Sequence, residues 1–187
     1  CAFAEGESVK PECAEFTANS VELMSSDSSR TPDVVVSSAG SDSVESEDLA
    51  APLESLKKDG AETVVVANNR HPGSEVYSCV EDAGGDYTAE CGFPREDVDA
   101  SLGDAAEASG STYLAVDEWI CPPGTKTCPP AIGETLVYRQ GSHVTATYAR
   151  TMTPIIWREL SDAGITQTSV GEITVEDIPE ATGSAKG

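Results

Sequence analysis

The sequence predicts an α/β fold, a three-layer α/β/α sandwich around a parallel sheet, and three observations carry that prediction. Short apolar runs rich in valine alternate along the chain with segments of helical periodicity. The runs PDVVVSSAG and ETVVVANN lack polar alternation, the pattern of strands covered on both faces. Helical stretches separate these runs, as parallel neighbours require, and no internal repeat is evident.

Cys13–Met24 is a weak helix with Phe16, Val21 and Met24 on one side, ended by the polar break SSDSSRTP. Pro32–Gly40 is the first strand. An acidic loop leads into the helix Leu49–Lys58, whose inner face is Leu49, Leu53 and Leu56 and whose stop signal is Gly60. Glu62–Asn69 is the second buried strand, and a long loop, Arg70–Pro94, follows it. Arg95–Ser109 is a helix closed by Gly110, Thr112–Val116 the third strand, and Glu134–Arg139 the fourth. Val144, Tyr148, Met152, Ile155, Ile156 and Leu160 mark a final helix with Thr145 as N-cap; Pro154 is expected to kink or divide it. Residues 1–163 make the domain, and 164–187 read as a polar, flexible tail.

With 187 residues, 39% of them hydrophobic, the chain can bury a real core in one domain of ordinary size. Eleven basic against 33 acidic side chains give a net charge of -22, which repels nucleic acid and anionic lipid and argues against either as a direct partner. Six cysteines fall as three close pairs whose intervening stretches are rich in Gly, Pro and acidic residues. Local pairing is therefore predicted, Cys1 with Cys13, Cys79 with Cys91, and Cys121 with Cys128, which implies an oxidising compartment outside the cytoplasm. Zinc is the rival reading, but no spacing is C-x-x-C and neither histidine lies in a ligand cluster, so neither metal nor cofactor is expected. No Walker loop, dinucleotide fingerprint or H-E-x-x-H occurs, and no apolar run approaches the ~20 residues of a membrane span. The start at Cys1 is read as the edge of a longer protein. A lipid on Cys1 is the alternative, but it would leave an odd number of cysteines.

Ligands of parallel sheets bind beyond the carboxyl ends of the strands. The loops Ser37–Ser41, Asn68–Pro72, Asp117–Cys121 and Gln140–His143 are expected to emerge there. His143, one of two histidines, sits between the fourth strand and the last helix, where an imidazole can serve as a general base. Ser37, Ser38, Gly40, Asn68 and Asn69 stand where donors for an oxyanion or substrate would be useful, although the same residue types favour ordinary turns. Trp119 reads as packing over the third cysteine loop, and His71, before a proline, as surface.

The run VDEWICPPGTKTCPPAIGETLVYRQGSHVTATYA, Val116–Ala149, resembles the carboxyl-terminal part of the SGNH domains attached to bacterial membrane acyltransferases of the acyltransferase-3 type. PDVVVSS and VVVANNRHP followed by SCV are similar to strands further upstream in that family, so the likeness covers about residues 1 to 160. The resemblance implies the three-layer sandwich already predicted. It also implies an extracytoplasmic domain, tethered through a membrane module of the same parent, that delivers acyl groups to hydroxyls of cell-envelope or secreted glycans.

The implied chemistry is that of a serine esterase. A serine in a G-D-S turn after the first strand attacks the acyl carbonyl, a histidine takes its proton, and an aspartate three residues earlier orients the histidine. His143 matches the histidine of D-x-x-H, but the aspartate position holds Gln140, and no G-D-S occurs in the chain. The nucleophile is therefore expected outside these residues, on a first strand that precedes Cys1, and the chain alone is expected to be inactive. Asp117, at the end of a neighbouring strand, is the candidate surrogate acid. The alternative function is a degenerate domain that binds glycan or a protein partner without catalysis.

Overall fold

The valine runs form strands, and the strands are parallel. The structure is a computed structural model and describes residues 1–27, 31–39, 44–84, 90–95, 100–139 and 143–165. Strands β1 (Val34–Ser37), β2 (Glu62–Val66) and β4 (Thr112–Leu114) make one sheet in the order β1-β2-β4, with Val36 opposite Val64 and Val66 opposite Leu114. Helices α1 (Pro11–Ser25) and α2 (Ser46–Lys58) flank β1 in the chain. After β2 come α3 (Glu75–Ala83), the short strand β3 (Phe93–Pro94) and α4 (Ser101–Ser109). Beyond β4 lie α5 (Val116–Ile120), the two-residue strands β5 (Thr127–Cys128), β6 (Ala131–Ile132) and β7 (Thr135–Leu136), and α6 (Ala146–Asp162).

Because side chains alternate across a strand, β2 sends Val65 to one face and Val64 to the other. Val65 packs with Leu49, Leu53, Leu102 and Ala105 of α2 and α4. Val64 and Leu114 pack with Ile156 and Leu160 of α6. Two helical layers thus enclose the sheet, as predicted. The cover is incomplete at β1, whose second edge is unpaired among the described residues. Val34 and Val36 share the face of Val64, yet they are 38% and 63% exposed.

Several boundaries differ from the sequence prediction, for local reasons. The fourth parallel strand does not form: Thr135–Leu136 turns back on Ala131–Ile132 as an antiparallel hairpin around Gly133, which supplies a φ of 60°. The segment between it and β4 is taken up by α5 and the Cys121–Cys128 disulfide loop, and the strand next to it in the chain, β6, is its pairing partner instead of the sheet. Asp117–Cys121 is not a loop, because Val116–Ile120 is α5. The long loop Arg70–Pro94 contains α3, whose apolar stripe Val76, Cys79 and Val80 is only half-buried, and which carries Cys79 of a disulfide. The helix predicted from Arg95 begins at Ser101; Arg95 instead extends the β3–β5 pairing, its backbone N–H donating to the carbonyl of Lys126 at 3.0 Å.

Pro154 does not divide the last helix, which runs unbroken from Ala146 to Asp162. The residue is exposed, so the carbonyl it leaves without an intrahelical donor lies on the solvent side. Ile165, just past the expected domain limit, is buried against the α6 face, so the folded part reaches at least that residue. All three predicted disulfides form, Cys1–Cys13, Cys79–Cys91 and Cys121–Cys128.

Thr145 caps α6 as predicted. Its hydroxyl accepts the Tyr148 N–H at 3.1 Å and donates to the Leu136 carbonyl at 2.6 Å, tying the helix start to β7. Thr145→Ala should lower unfolding free energy by about 1 kcal/mol, measured by urea denaturation.

Candidate functional site

His143 is held by its backbone and leaves its ring free. The Arg139 N–H donates to the His143 carbonyl at 2.9 Å, Tyr138 and Val144 form an antiparallel bridge, and the Thr145 N–H donates to the Val137 carbonyl at 2.8 Å. These bonds close a hairpin end that runs straight into the cap of α6. The imidazole itself is exposed and has no hydrogen-bond partner among the described residues. Gln140 lies outside the described residues, as does Gly40.

Beneath the hairpin the packing is apolar and tight. Val137, Tyr138, Tyr148, Met152, Ile120 and Phe93 form one buried cluster, with the Phe93 and Tyr138 rings edge to face at 5.7 Å. The Tyr138 hydroxyl is buried without a hydrogen-bond partner among the described residues. Burial raises its pKa far above the ordinary 10.0; the Arg70 charge opposes the shift, while Tyr148 and Asp117 add to it. Burial also raises Tyr148, and Tyr113 is raised by burial and then by the charges of Asp117 and Glu118. Phenols with folded pKa values above the unfolded one contribute stability that is full below about pH 10 and is lost as pH climbs past it. Urea midpoints should therefore fall above about pH 10, and Tyr138→Phe should flatten that fall.

The parallel order of β1, β2 and β4 places the residues that follow them at one edge of the sheet. Ser37 ends β1 and is buried; Ser38 is exposed. Asn68 and Asn69 follow β2 and are half-buried. Ser38 and Asn68 have side chains that make no hydrogen bond among the described residues, so both can donate to a ligand. His71 is exposed, in keeping with a surface role, and Trp119 is half-buried between the two apolar clusters, where it packs.

Asp117 is placed differently from an acid facing His143. Its carboxylate accepts from the Arg70 guanidinium at 2.9 Å, and the two side chains are only 4% and 5% exposed. No hydrogen bond joins Asp117 to His143. Arg70 itself escaped the sequence reading, although a basic residue just past a buried strand, in a chain with 11 basic residues among 187, is a signal worth weight. Among the described residues no three of His, Cys, Asp and Glu come together as a metal site. A cleft of about 360 Å³ near Val44 is lined by the Cys1–Cys13 loop and by none of the predicted catalytic or oxyanion residues.

His143 is thus an exposed side chain on backbone pinned at the start of a helix that packs on the parallel sheet. The family of SGNH domains fused to AT3 domains matches the chain over residues 1–158. The chain belongs to this SGNH family. No curated protein and no solved structure matches it. The match spans the three-stranded sheet, all three disulfides and the His143 hairpin of this SGNH domain. Members of the family are fused to acyltransferase modules, which associates the domain with acyl transfer. Among the described residues no helix is long and apolar enough to cross a membrane.

Proposed function

We propose that this SGNH domain is the extracytoplasmic part of an O-acyltransferase that moves acyl groups, acetyl in the first instance, onto hydroxyls of cell-envelope or secreted glycans. His143 is the general base. The observation that carries the reading is its ring, exposed and unpartnered while the backbone on both sides is fixed. A base so placed is ready to take a proton from a serine hydroxyl brought against it. The serine attacks the acyl carbonyl, the proton passes to His143 and then to the leaving group, and the acceptor hydroxyl repeats the sequence in reverse on the acyl-enzyme. Ser38, Gly40, Asn68 and Asn69 supply oxyanion or substrate donors.

The serine is expected on a strand outside these 187 residues, and β1 supports a place for it. Among the described residues one edge of β1 is unpaired, which leaves its backbone groups open to a further parallel strand. A further parallel strand on that edge would end, like its neighbours, at the edge where Ser38 and Asn68 lie. Three disulfides support an oxidising compartment, and the AT3 association supports a membrane module in the same parent.

Gln140 favours a second reading, a domain that binds glycan or a partner without turnover, because a neutral amide cannot stabilise an imidazolium by charge. The two are separated by assaying aryl-acetate hydrolysis on the 187-residue chain and on the parent's complete domain. Turnover only in the complete domain is the expected result. No turnover in either, with a folded protein, would leave the binding reading.

A further inference from the structure

Arg70 and Asp117 form the one ion pair that is buried on both sides among the described residues, and neither has a part in the chemistry proposed above. Arg70 lies in the loop after β2, Asp117 in the first turn of α5, so the pair locks two segments that leave neighbouring strands of the sheet. From α5 the connection continues. The Tyr148 hydroxyl donates to the Trp119 carbonyl at 3.5 Å, and Ile120 packs in one cluster with Tyr138, Tyr148 and Met152. Tyr138 and Tyr148 stand five residues to either side of His143, one at the base of its hairpin and one in the first turn of α6. The His143 segment therefore rests on α5, and α5 is fixed to the sheet by the ion pair.

We propose that Arg70 and Asp117 are positioning residues that hold α5 as the platform of the His143 hairpin, which gives Asp117 a different task from that of a surrogate acid. The positioning role serves the base assignment made above and rests on it for its functional meaning. An apolar pair would cover the same area, but a guanidinium and a carboxylate also fix direction, because each demands a particular approach of the other. Two segments joined only by apolar contacts can slide; these two cannot without separating buried charges. The Tyr138 hydroxyl has no hydrogen bond among the described residues, so the hairpin rests on α5 through the packing of the Tyr138 ring with Ile120.

The test reads geometry without turnover, so it is independent of whether the esterase reading stands. Amide hydrogen exchange is followed in the 187-residue chain at Arg139 and Thr145, whose N–H groups close the His143 hairpin, and at Val65 in the middle of the sheet. Two variants are compared with the wild type: Asp117→Asn, which keeps shape and removes one charge, and Arg70→Met with Asp117→Leu, which removes both charges and keeps volume. The expected result in the double variant is exchange at Arg139 and Thr145 at least ~10-fold faster, with Val65 changed by less than about threefold; in Asp117→Asn, where a charge is stranded, the hairpin amides should still rise by more than Val65 does. Wild-type protection of the hairpin in a folded variant would overturn the proposal. So would a rise at Val65 equal to that of the hairpin, which reports general loss of stability. If Asp117→Asn does not fold, the double variant alone decides. In the complete domain, once that is shown to be active, the double variant should lower kcat by about tenfold with KM within about twofold. Unchanged kcat would likewise overturn it, whereas absence of wild-type turnover would count against the esterase reading alone.

Discussion

His143→Ala, in a domain extended to include its serine, should lower aryl-acetate turnover by about 10³-fold, the loss expected when a general base is removed from a serine esterase. KM should change little, because the ring contributes to proton transfer more than to ground-state binding. The fold should survive, since the side chain is exposed and the hairpin is closed by backbone bonds and by Tyr138 below it. Circular dichroism and intact disulfides would establish that. Gln140→Asp should act in the opposite direction and raise turnover, because a carboxylate at that position both orients the imidazole and stabilises its protonated form. The structure leaves room for such a gain: the carboxylate of Asp117 is engaged by Arg70. Unchanged hydrolysis in His143→Ala would end the assignment of His143 as base.

The second large effect concerns stability. Arg70→Ala or Asp117→Ala should each cost about 3–5 kcal/mol, because either change strands a charge inside the fold without its partner. For a chain of this size that is a fall in melting temperature of about 10 °C, visible by calorimetry. Arg70→Met combined with Asp117→Leu should be far milder than either single change, since replacing a buried pair by apolar groups of similar volume is often neutral. Single changes that cost less than about 1 kcal/mol would mean that the pair is more hydrated than its 4% and 5% exposure indicates.

The parts of the fold legible in the sequence are those where one physical signal dominates. VVVS and ETVVV announce strands because their valines are not alternated with polar residues, although the burial on both faces that this pattern implies holds for β2 and not for β1, whose Val34 and Val36 are exposed; α2 announces itself through Leu49, Leu53 and Leu56, all buried. The cysteine pairs were readable because each closes a short polar loop. Thr145 was readable as a cap because its chemistry is local. Legibility fails where partners distant in sequence decide. LVYR has the composition of a strand, but Gly133 and the Cys121–Cys128 loop turn it into the arm of a hairpin instead of a sheet strand. Helix α3 has a short stripe, Val76, Cys79 and Val80, but it is only half-buried and lies in a stretch of nine residues, so the surrounding loop-like composition hides it. The Arg70–Asp117 pair joins residues 47 positions apart, and nothing near either one names the other. For the site, the sequence singles out His143 as the candidate base, while the contacts beneath its segment, Tyr138, Tyr148 and Ile120 in one cluster, come from residues outside its motif.

Pro52 in the middle of α2 has a use that its cost to the helix conceals. A proline at that place deprives the carbonyl four residues earlier, that of Asp48, of its intrahelical donor. The Glu5 N–H takes the vacancy at 2.8 Å, and beside it the Ser8 hydroxyl and N–H donate to the Asp48 carboxylate at 2.6 and 2.9 Å. A helix with every carbonyl occupied would have no such acceptor to offer. The break in the ladder is thus one mooring of the Cys1–Cys13 loop, and a proline-free α2 would be a better helix that holds the loop by one backbone bond fewer.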